Sequence, residues 1–160
     1  PLFIRNPPLA FDFSHNDHRF AQAFMWSRIL TVADRMITFL KGETYDQSTG
    51  ETFWDRSMIH FATDFGRDKR RTNDAVQWGT GHHVNNGQLT VSPLVNGNKV
   101  LGGVDPDTLE TYGFDLVTGA PLSPGQNVDE GQIFAGILQA LGINTTPAAL
   151  AGVPAMSKPS

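Results

Sequence analysis

Residues 57–64 read SMIHFATD, a nearly continuous apolar run that decides the expected fold. Such a run suits a strand buried on both faces, and strands of that kind belong to parallel sheets. A shorter candidate strand, residues 9–13, precedes it, and a long segment with helical spacing lies between the two. Strand, helix and strand form a βαβ unit whose crossover places the carboxyl ends of both strands at one edge. We therefore predict an α/β fold with a partial parallel sheet and flanking helices.

The helix between these strands is the most clearly marked element. Asn16 and Asp17 are good N-cap residues, and Gly42 stands where a helix stop is expected. A second helix is predicted from about residue 129 to 141, with Gly142 as its stop. The apolar residues of the first helix recur at helical spacing: Phe20, Phe24, Ile29, Leu30, Ala33, Met36, Ile37 and Leu40.

Composition excludes several classes of protein. The chain has 160 residues, 39% of them apolar and 18% charged, so it is globular and not disordered throughout. It contains no cysteine, which excludes a disulfide scaffold, a cysteine nucleophile and a thiolate zinc site. A net charge of −4 disfavours binding to nucleic acid or to an anionic membrane through the field of the whole protein. Residues 131–157 are uncharged, but Asn144, Pro147 and Pro154 interrupt them, so no membrane span is predicted.

We expect a single domain or domain fragment with three parts. These are an extended lead-in over residues 1–8, an α/β core over residues 9–141 and an irregular tail over residues 142–160. Within the core, residues 66–87 show no convincing periodicity, and a loop of that length is typical of a functional or disordered segment. Residues 89–104 predict a hairpin or a pair of short edge strands.

Each predicted strand ends in an aspartate, and four of the five histidines follow these two strand ends. Ligands of open α/β sheets bind just beyond the carboxyl ends of the strands. Imidazole and carboxylate are the ligands that Zn²⁺ or Mn²⁺ accepts when thiolate is absent. The sequence thus predicts a divalent metal site built from Asp12, His15, Asp64, His82 and His83. The alternative is that Asp12 caps the helix, His15 is solvated and His82 and His83 lie in a surface turn.

Arg67 directly follows the second strand end, where a guanidinium fork suits a phosphate, sulfate or carboxylate group near a metal. It is the predicted anion-binding residue. His60 lies within the apolar run, so we expect a core histidine bonded to a neighbour. Trp78, beside the Gly-Thr-Gly-His-His loop, is a candidate for lining a pocket.

The order of these motifs resembles the C-terminal part of a bacterial domain-of-unknown-function family in the alkaline phosphatase/sulfatase-like superfamily. The resemblance covers about residues 9 to 141. Its most specific piece is the DFGR stretch at residues 64–67, followed by the Gly-His-His loop. The matching residues are Asp12, His15, Asp64, Phe65, Gly66, Arg67, Asn73, residues 79–83, Gly102 and Gly103.

The resemblance implies the C-terminal half of an alkaline-phosphatase-like domain, with two divalent metals at the edge of a parallel sheet and a Ser or Thr nucleophile. Two metals would activate that nucleophile and stabilise the oxyanion of an ester. This chain departs from the pattern at Phe65, where catalytic members have a histidine, and at Gly81, where relatives often have an aspartate. The half that carries the nucleophile is absent from this sequence, so we expect no activity without an upstream segment or a second polypeptide.

Two functions follow from these features. The first is the C-terminal portion of a metal-dependent, sulfatase/phosphatase-like hydrolase that acts on a small anionic ester. The second is a non-catalytic structural or binding subunit of a larger extracytoplasmic assembly. The clustered histidines and aspartates favour the first function, whereas the departures at Phe65 and Gly81 favour the second. A third function, anion or sugar binding through Arg67 and aromatic residues of the long loop, has no specific support. Because family members usually carry a twin-arginine export signal, the resemblance implies a periplasmic or extracellular location.

Overall fold

The computed structural model describes residues 12–63, 65–68, 74–83, 87–145 and 152–158. The chain divides into two compact units. Unit 1 combines Pro1–Phe39 with Asp64–Asn86, and unit 2 combines Leu40–Thr63 with Gly87–Ser160.

The long helix predicted after Asp17 is confirmed. Helix α1 runs from His18 to Gly42. Asp17 Oδ1 accepts a hydrogen bond from the Phe20 backbone N–H at 3.1 Å, which satisfies one of the open donors in the first turn. Ala21, Met25 and Ala33 of this helix are buried, at spacings that place them on one side.

The strands are short and pair two by two. In chain order they are β1 (Thr44–Asp46), β2 (Glu51–Thr52), β3 (Ile59–Phe61), β4 (Gly66–Arg67), β5 (His82–His83), β6 (Leu89–Val91), β7 (Gly103–Val104) and β8 (Thr111–Tyr112). Four sheets result, β1 with β2, β3 with β6, β4 with β5 and β7 with β8. Every one of these pairs is antiparallel.

The prediction of an α/β fold with a partial parallel sheet is therefore wrong for the described residues. The run at residues 57–64 contributes only β3, whose three residues are half-buried rather than buried on both faces. Its partner is β6, with Ile59 opposite Val91. Asp12 lies in a 3-10 helical turn, Asp12–His15, and not at the end of a strand. Residues 9–11 of that predicted strand lie outside the described residues. An apolar run indicates burial, but it specifies neither the partner strand nor its direction.

Residues 89–104 hold two short strands, β6 and β7, in separate sheets. The hairpin that was one expected arrangement of this segment is not formed. The chain between them instead reaches the C-terminal segment, where Val95 forms an isolated antiparallel bridge with Ser157.

Three loops of unit 2 share one hydrogen-bonding pattern. They are residues 46–51 (DQSTGE), 105–110 (DPDTLE) and 115–120 (DLVTGA). In each loop, Oδ1 of the first residue, an aspartate, accepts a hydrogen bond from the backbone N–H of the third residue. Oγ1 of the fourth residue, a threonine, accepts a hydrogen bond from the backbone N–H of the sixth. The N–H of the fifth residue donates to the carbonyl oxygen of the first. Hydrogen bonds to the carboxylates lower the pKa of all three aspartates, and the strongest come from the Ser48 hydroxyl to Asp46, the Asp107 backbone N–H to Asp105 and the Thr118 backbone N–H to Asp115.

The core of unit 2 forms between the second helix and the C-terminal segment. Helix α2 runs from Glu130 to Ala140, close to the predicted bounds, and Gln132 Oε1 accepts from Asp129 N–H at 2.9 Å at its start. The buried cluster consists of Phe114, Ile137, Val153, Ala155 and Met156. Three of its members follow the helix, so the C-terminal segment is part of this core.

Candidate metal centre

Backbone hydrogen bonds bring three separated segments of unit 1 together. Thr80 N–H donates to the carbonyl oxygen of Ser14 at 2.9 Å, and His18 N–H donates to that of Trp78 at 2.8 Å. Strand β4 pairs with β5, with Arg67 opposite His82. The segment predicted as a long loop is thus anchored at both ends. The 3-10 turn, β4 and β5 therefore lie side by side, although they are distant in sequence.

Gly79 permits the close approach of two of these segments. A Cβ atom built at Gly79 would overlap the backbone carbonyl oxygen of His15. At Gly81, two residues later, a Cβ atom would meet nothing within 4 Å. The requirement for glycine is therefore steric at Gly79 and absent at Gly81.

Two buried hydroxyl groups form hydrogen bonds that hold the 3-10 turn and the neighbouring loop in place. Ser14 and Thr80 are 0% and 3% exposed. Ser14 Oγ accepts a hydrogen bond from Gln22 Nε2 at 2.9 Å, and Thr80 Oγ1 bonds to His18 Nδ1 at 2.7 Å. The ring of His18 also stacks on Trp78, with centroids 5.0 Å apart. Burial, and secondarily the charge of Arg67, lower the pKa of His18. The half-buried His18 ring therefore joins the start of α1 to the loop through its contacts with Thr80 and Trp78.

Three exposed side chains lie close together next to these hydrogen-bonded hydroxyl groups. His15 Nε2 lies 3.4 Å from Asp12 Oδ1 and 3.2 Å from His82 Nε2. The candidate ligand atoms of Asp12, His15 and His82 all lie within 4.8 Å of one another, and all three residues are exposed. Among the described residues, these three form a group that could hold a metal ion.

The donor set and its spacing fit a divalent ion. Two imidazole nitrogens and one carboxylate oxygen are ordinary ligands of Zn²⁺ and of related borderline ions. For bonds of 2.0–2.1 Å in a tetrahedral arrangement, neighbouring ligand atoms lie about 3.3–3.4 Å apart. The distances from His15 Nε2 to the other two ligand atoms, 3.2 and 3.4 Å, are close to that edge length. Three protein ligands leave a fourth position open, as in catalytic zinc sites.

Arg67 borders the same group. Its Nη1 lies 3.0 Å from His15 Nε2 and donates to the carbonyl oxygen of Thr80 at 3.2 Å, while Nη2 lies 3.5 Å from Asp12 Oδ1. Its side chain is only 11% exposed, against 70% for Asp12. The guanidinium also lies 5.5 Å from the centre of the Phe65 ring. A largely covered cation therefore flanks an open cluster of ligand atoms.

Phe65 occupies the position where the resemblance leads one to expect a second metal-binding histidine. Its ring stacks on that of His82, with centroids 3.8 Å apart and an interplanar angle of 21°. Phe65 thus orients the His82 ring by contact and supplies no ligand atom.

The remaining predicted ligands, His83 and Asp64, are not part of this group in the described residues. His83 follows His82 in β5, where successive side chains point to opposite faces, and it is not a member of the group. Asp64 lies outside the described residues. His60 bonds through Nδ1 to Thr90 Oγ1 at 2.8 Å in unit 2, as expected for a structural histidine. The sequence analysis gave Ser14 no role, and it singled out Gly79 and Thr80 only as part of the resemblance, without their part in holding the turn.

Comparison with known proteins identifies no relative: no family model, no curated protein and no solved structure matches this chain. Over the part of the chain that the structure describes, no helix has both the length and the apolar character to cross a membrane.

Proposed function

We propose that Asp12, His15 and His82 bind a divalent metal ion, and that Arg67 binds the negatively charged group of a small ester beside it. In this proposal the chain is part of an extracytoplasmic, metal-dependent protein of the phosphatase/sulfatase-like hydrolase type. The observation that supports the metal site is that the candidate ligand atoms of Asp12, His15 and His82 all lie within 4.8 Å of one another.

Zn²⁺ and Mn²⁺ are the ions that the donor set favours. Two imidazoles with one carboxylate exclude the all-oxygen coordination that Ca²⁺ and Mg²⁺ prefer. When bound, such an ion supplies Lewis acidity to an ester oxygen or to water. Arg67 would contribute the fixed positive charge and the paired N–H donors that orient an anionic substrate.

The segments that carry the ligands offer few nucleophiles of their own. Ser14 and Thr80 are the hydroxyl residues within residues 12–15, 65–68 and 74–83, and both are buried and hydrogen-bonded. A hydrolytic reaction here would therefore use water, or a nucleophile from an upstream segment or a second polypeptide.

A non-catalytic binding subunit is the second candidate function, and the contacts of Ser14, Thr80 and Phe65 favour it. The hydroxyls of Ser14 and Thr80 are engaged in support of the turn, and Phe65 covers one face of His82 instead of adding a ligand. A site of this kind would bind a metal and an anion without turning the anion over.

Isothermal titration of the protein with Zn²⁺ and Mn²⁺ tests the site directly. We expect one ion per chain in the wild type, and loss of binding in His15→Gln and His82→Gln. His83→Gln is the matched control, because His83 is the next residue in the same strand and we expect it to keep full affinity. Equal loss in His82→Gln and His83→Gln, with both variants folded by circular dichroism, would refute the assigned ligands.

Activity separates the two functions. The metal-loaded protein is assayed with chromogenic phosphate and sulfate esters, alone and with proteins that copurify with it from its source. Turnover that disappears in His82→Gln supports the hydrolase. Stoichiometric metal with no turnover in either preparation supports the binding subunit.

A further inference from the structure

We propose that Arg67 couples metal binding to the binding of a doubly charged oxyanion. Without an anion, its guanidinium competes with the metal for His15 and Asp12. With a phosphate or sulfate group present, the same guanidinium binds that group next to the metal. This inference rests on the proposed metal site and adds the coupling between metal and anion, together with the charge that the anion must carry.

Competition follows from the position of the two Arg67 nitrogens. Nη1 lies 3.0 Å from His15 Nε2, and Nη2 lies 3.5 Å from Asp12 Oδ1. A guanidinium can only donate hydrogen bonds, so its N–H is directed at the imidazole lone pair that a metal must use. A nitrogen with one lone pair cannot serve Arg67 and a metal together. Metal binding therefore requires the guanidinium to move away from His15 Nε2.

The guanidinium cannot move far from the cluster. Arg67 is held in β4, directly opposite His82, and its Nη1 also donates to the Thr80 carbonyl oxygen at 3.2 Å. Its side chain is 11% exposed and lies over the Phe65 ring. Once displaced from His15, the cation therefore remains beside the metal and not in bulk water, where its repulsion of the metal would be screened.

The charge of the loaded site selects the anion. The carboxylate of Asp12 and the guanidinium of Arg67 cancel each other, so the divalent charge of the ion stays unbalanced within this group. A phosphate or sulfate group with two negative charges balances it, and its oxygens match both the open metal position and the paired donors of Arg67. Acetate carries one negative charge and balances only half of it. We therefore assign the site to tetrahedral oxyanions that carry two negative charges, namely free phosphate, free sulfate or a phosphate monoester.

Titration of the wild type with Zn²⁺ tests the coupling. The titration is run in a non-coordinating buffer alone and with sulfate, methyl phosphate or acetate, and each added ion is also titrated without zinc as a control. We expect sulfate or methyl phosphate to raise the affinity for Zn²⁺ about 10-fold, and acetate to change it little. By linkage, Zn²⁺ must raise the affinity for the anion by the same factor.

An anion effect with methyl phosphate but not sulfate would identify a phosphate monoester as the ligand, and the converse would identify a sulfate. If neither raises the affinity for Zn²⁺, the coupling is refuted.

Arg67→Ala distinguishes this coupling from simple charge attraction. We expect this variant to bind Zn²⁺ more tightly than the wild type when no anion is present, because the competitor is gone, and to lose the enhancement by anions. Arg67→Lys keeps the charge without the fork, so we expect an intermediate anion effect. Unchanged zinc affinity in folded Arg67→Ala, together with a retained anion effect, would overturn the inference while leaving the metal site intact. Failure of the proposed function would look different, since the wild type would then bind no Zn²⁺ or bind it independently of His82.

Discussion

Leu109 and Gly119 occupy equivalent positions in successive loops of unit 2, and both have a positive φ, 62° and 78° respectively. In each loop, the N–H of this residue donates to the carbonyl oxygen of the aspartate that begins the loop, Asp105 or Asp115, at 2.8 Å. Gly50 fills the same position in a third loop, with φ of 75°. The backbone requirement is the same at all three positions, but only Leu109 meets it with a side chain that disfavours this conformation.

Leu109→Gly is therefore expected to stabilise unit 2 by about 0.5–1 kcal/mol, because the left-handed conformation costs a leucine more than a glycine loses in chain entropy. Urea unfolding of the variant and the wild type measures the difference. Gly50→Ala is the matched opposite, since a Cβ there meets nothing within 4 Å and only the backbone effect remains. We expect it to destabilise by a similar amount. A lower unfolding midpoint for Leu109→Gly would show that contacts of the leucine side chain outweigh its backbone conformation.

The two glycines of the Gly-Thr-Gly stretch should respond differently to alanine. Gly79→Ala places a methyl group against the carbonyl oxygen of His15, so we expect the turn to separate from the loop and Zn²⁺ binding to be lost. The accompanying destabilisation should be about 1–3 kcal/mol, as for other overpacked positions. Gly81→Ala enters open space and should retain both metal affinity and stability. Calorimetric titration with Zn²⁺ and thermal unfolding of both variants decide the matter. Wild-type metal affinity in Gly79→Ala would contradict the proposed support of the site.

The helices could be predicted from sequence because their signals are local. Asp17 and Gly42 bound α1, and Asp129 and Gly142 flank α2, each within a turn of the helix end that it marks. The β3–β6 and β4–β5 pairs could not, because the partner of each strand lies in a separate part of the sequence. The run at residues 57–64 carries no information that selects β6 as a partner of β3, or an antiparallel direction.

Ligand residues of the candidate site could be predicted from the sequence, but the contacts that bring them together could not. The sequence predicts five ligands, of which the structure brings Asp12, His15 and His82 together. His83 is not in this group, and Asp64 lies outside the described residues. The three grouped residues meet through the bond of Thr80 to Ser14 and the close approach at Gly79, not at the edge of a parallel sheet. A single sequence gives little indication of such backbone contacts.

Packing of the C-terminal segment on α2 can be tested at Gly136. A Cβ there would lie 2.8 Å from the Val153 Cβ and 3.0 Å from the Met156 Sδ, so Gly136→Ala should destabilise unit 2 by about 1–3 kcal/mol. Gly131→Ala, in the first turn of the same helix, meets nothing within 4 Å and should stabilise by up to about 1 kcal/mol. Denaturant unfolding of both variants gives the comparison. Equal effects of the two substitutions would show that residues 153–156 do not pack on the helix in solution.

His60 should make the stability of unit 2 depend on pH. It lies opposite Thr90 in the β3–β6 pair and bonds to its hydroxyl, and burial lowers the pKa of His60 despite an opposing hydrogen bond with Gln88. In the unfolded chain the pKa returns to about 6.5, so below that pH the unfolded state takes up the proton more readily than the folded state. The contribution of the neutral imidazole is therefore fully present above about pH 6.5 and is lost as pH falls through the lowered pKa of the folded state.

Urea midpoints of the wild type and His60→Gln, measured from pH 8 to pH 5, isolate this contribution, because His18, whose pKa is also lowered, is present in both proteins. We expect the wild type to lose more stability than His60→Gln as the pH falls. Parallel pH profiles for the two proteins would show that His60 takes up its proton as easily in the folded state as in the unfolded chain.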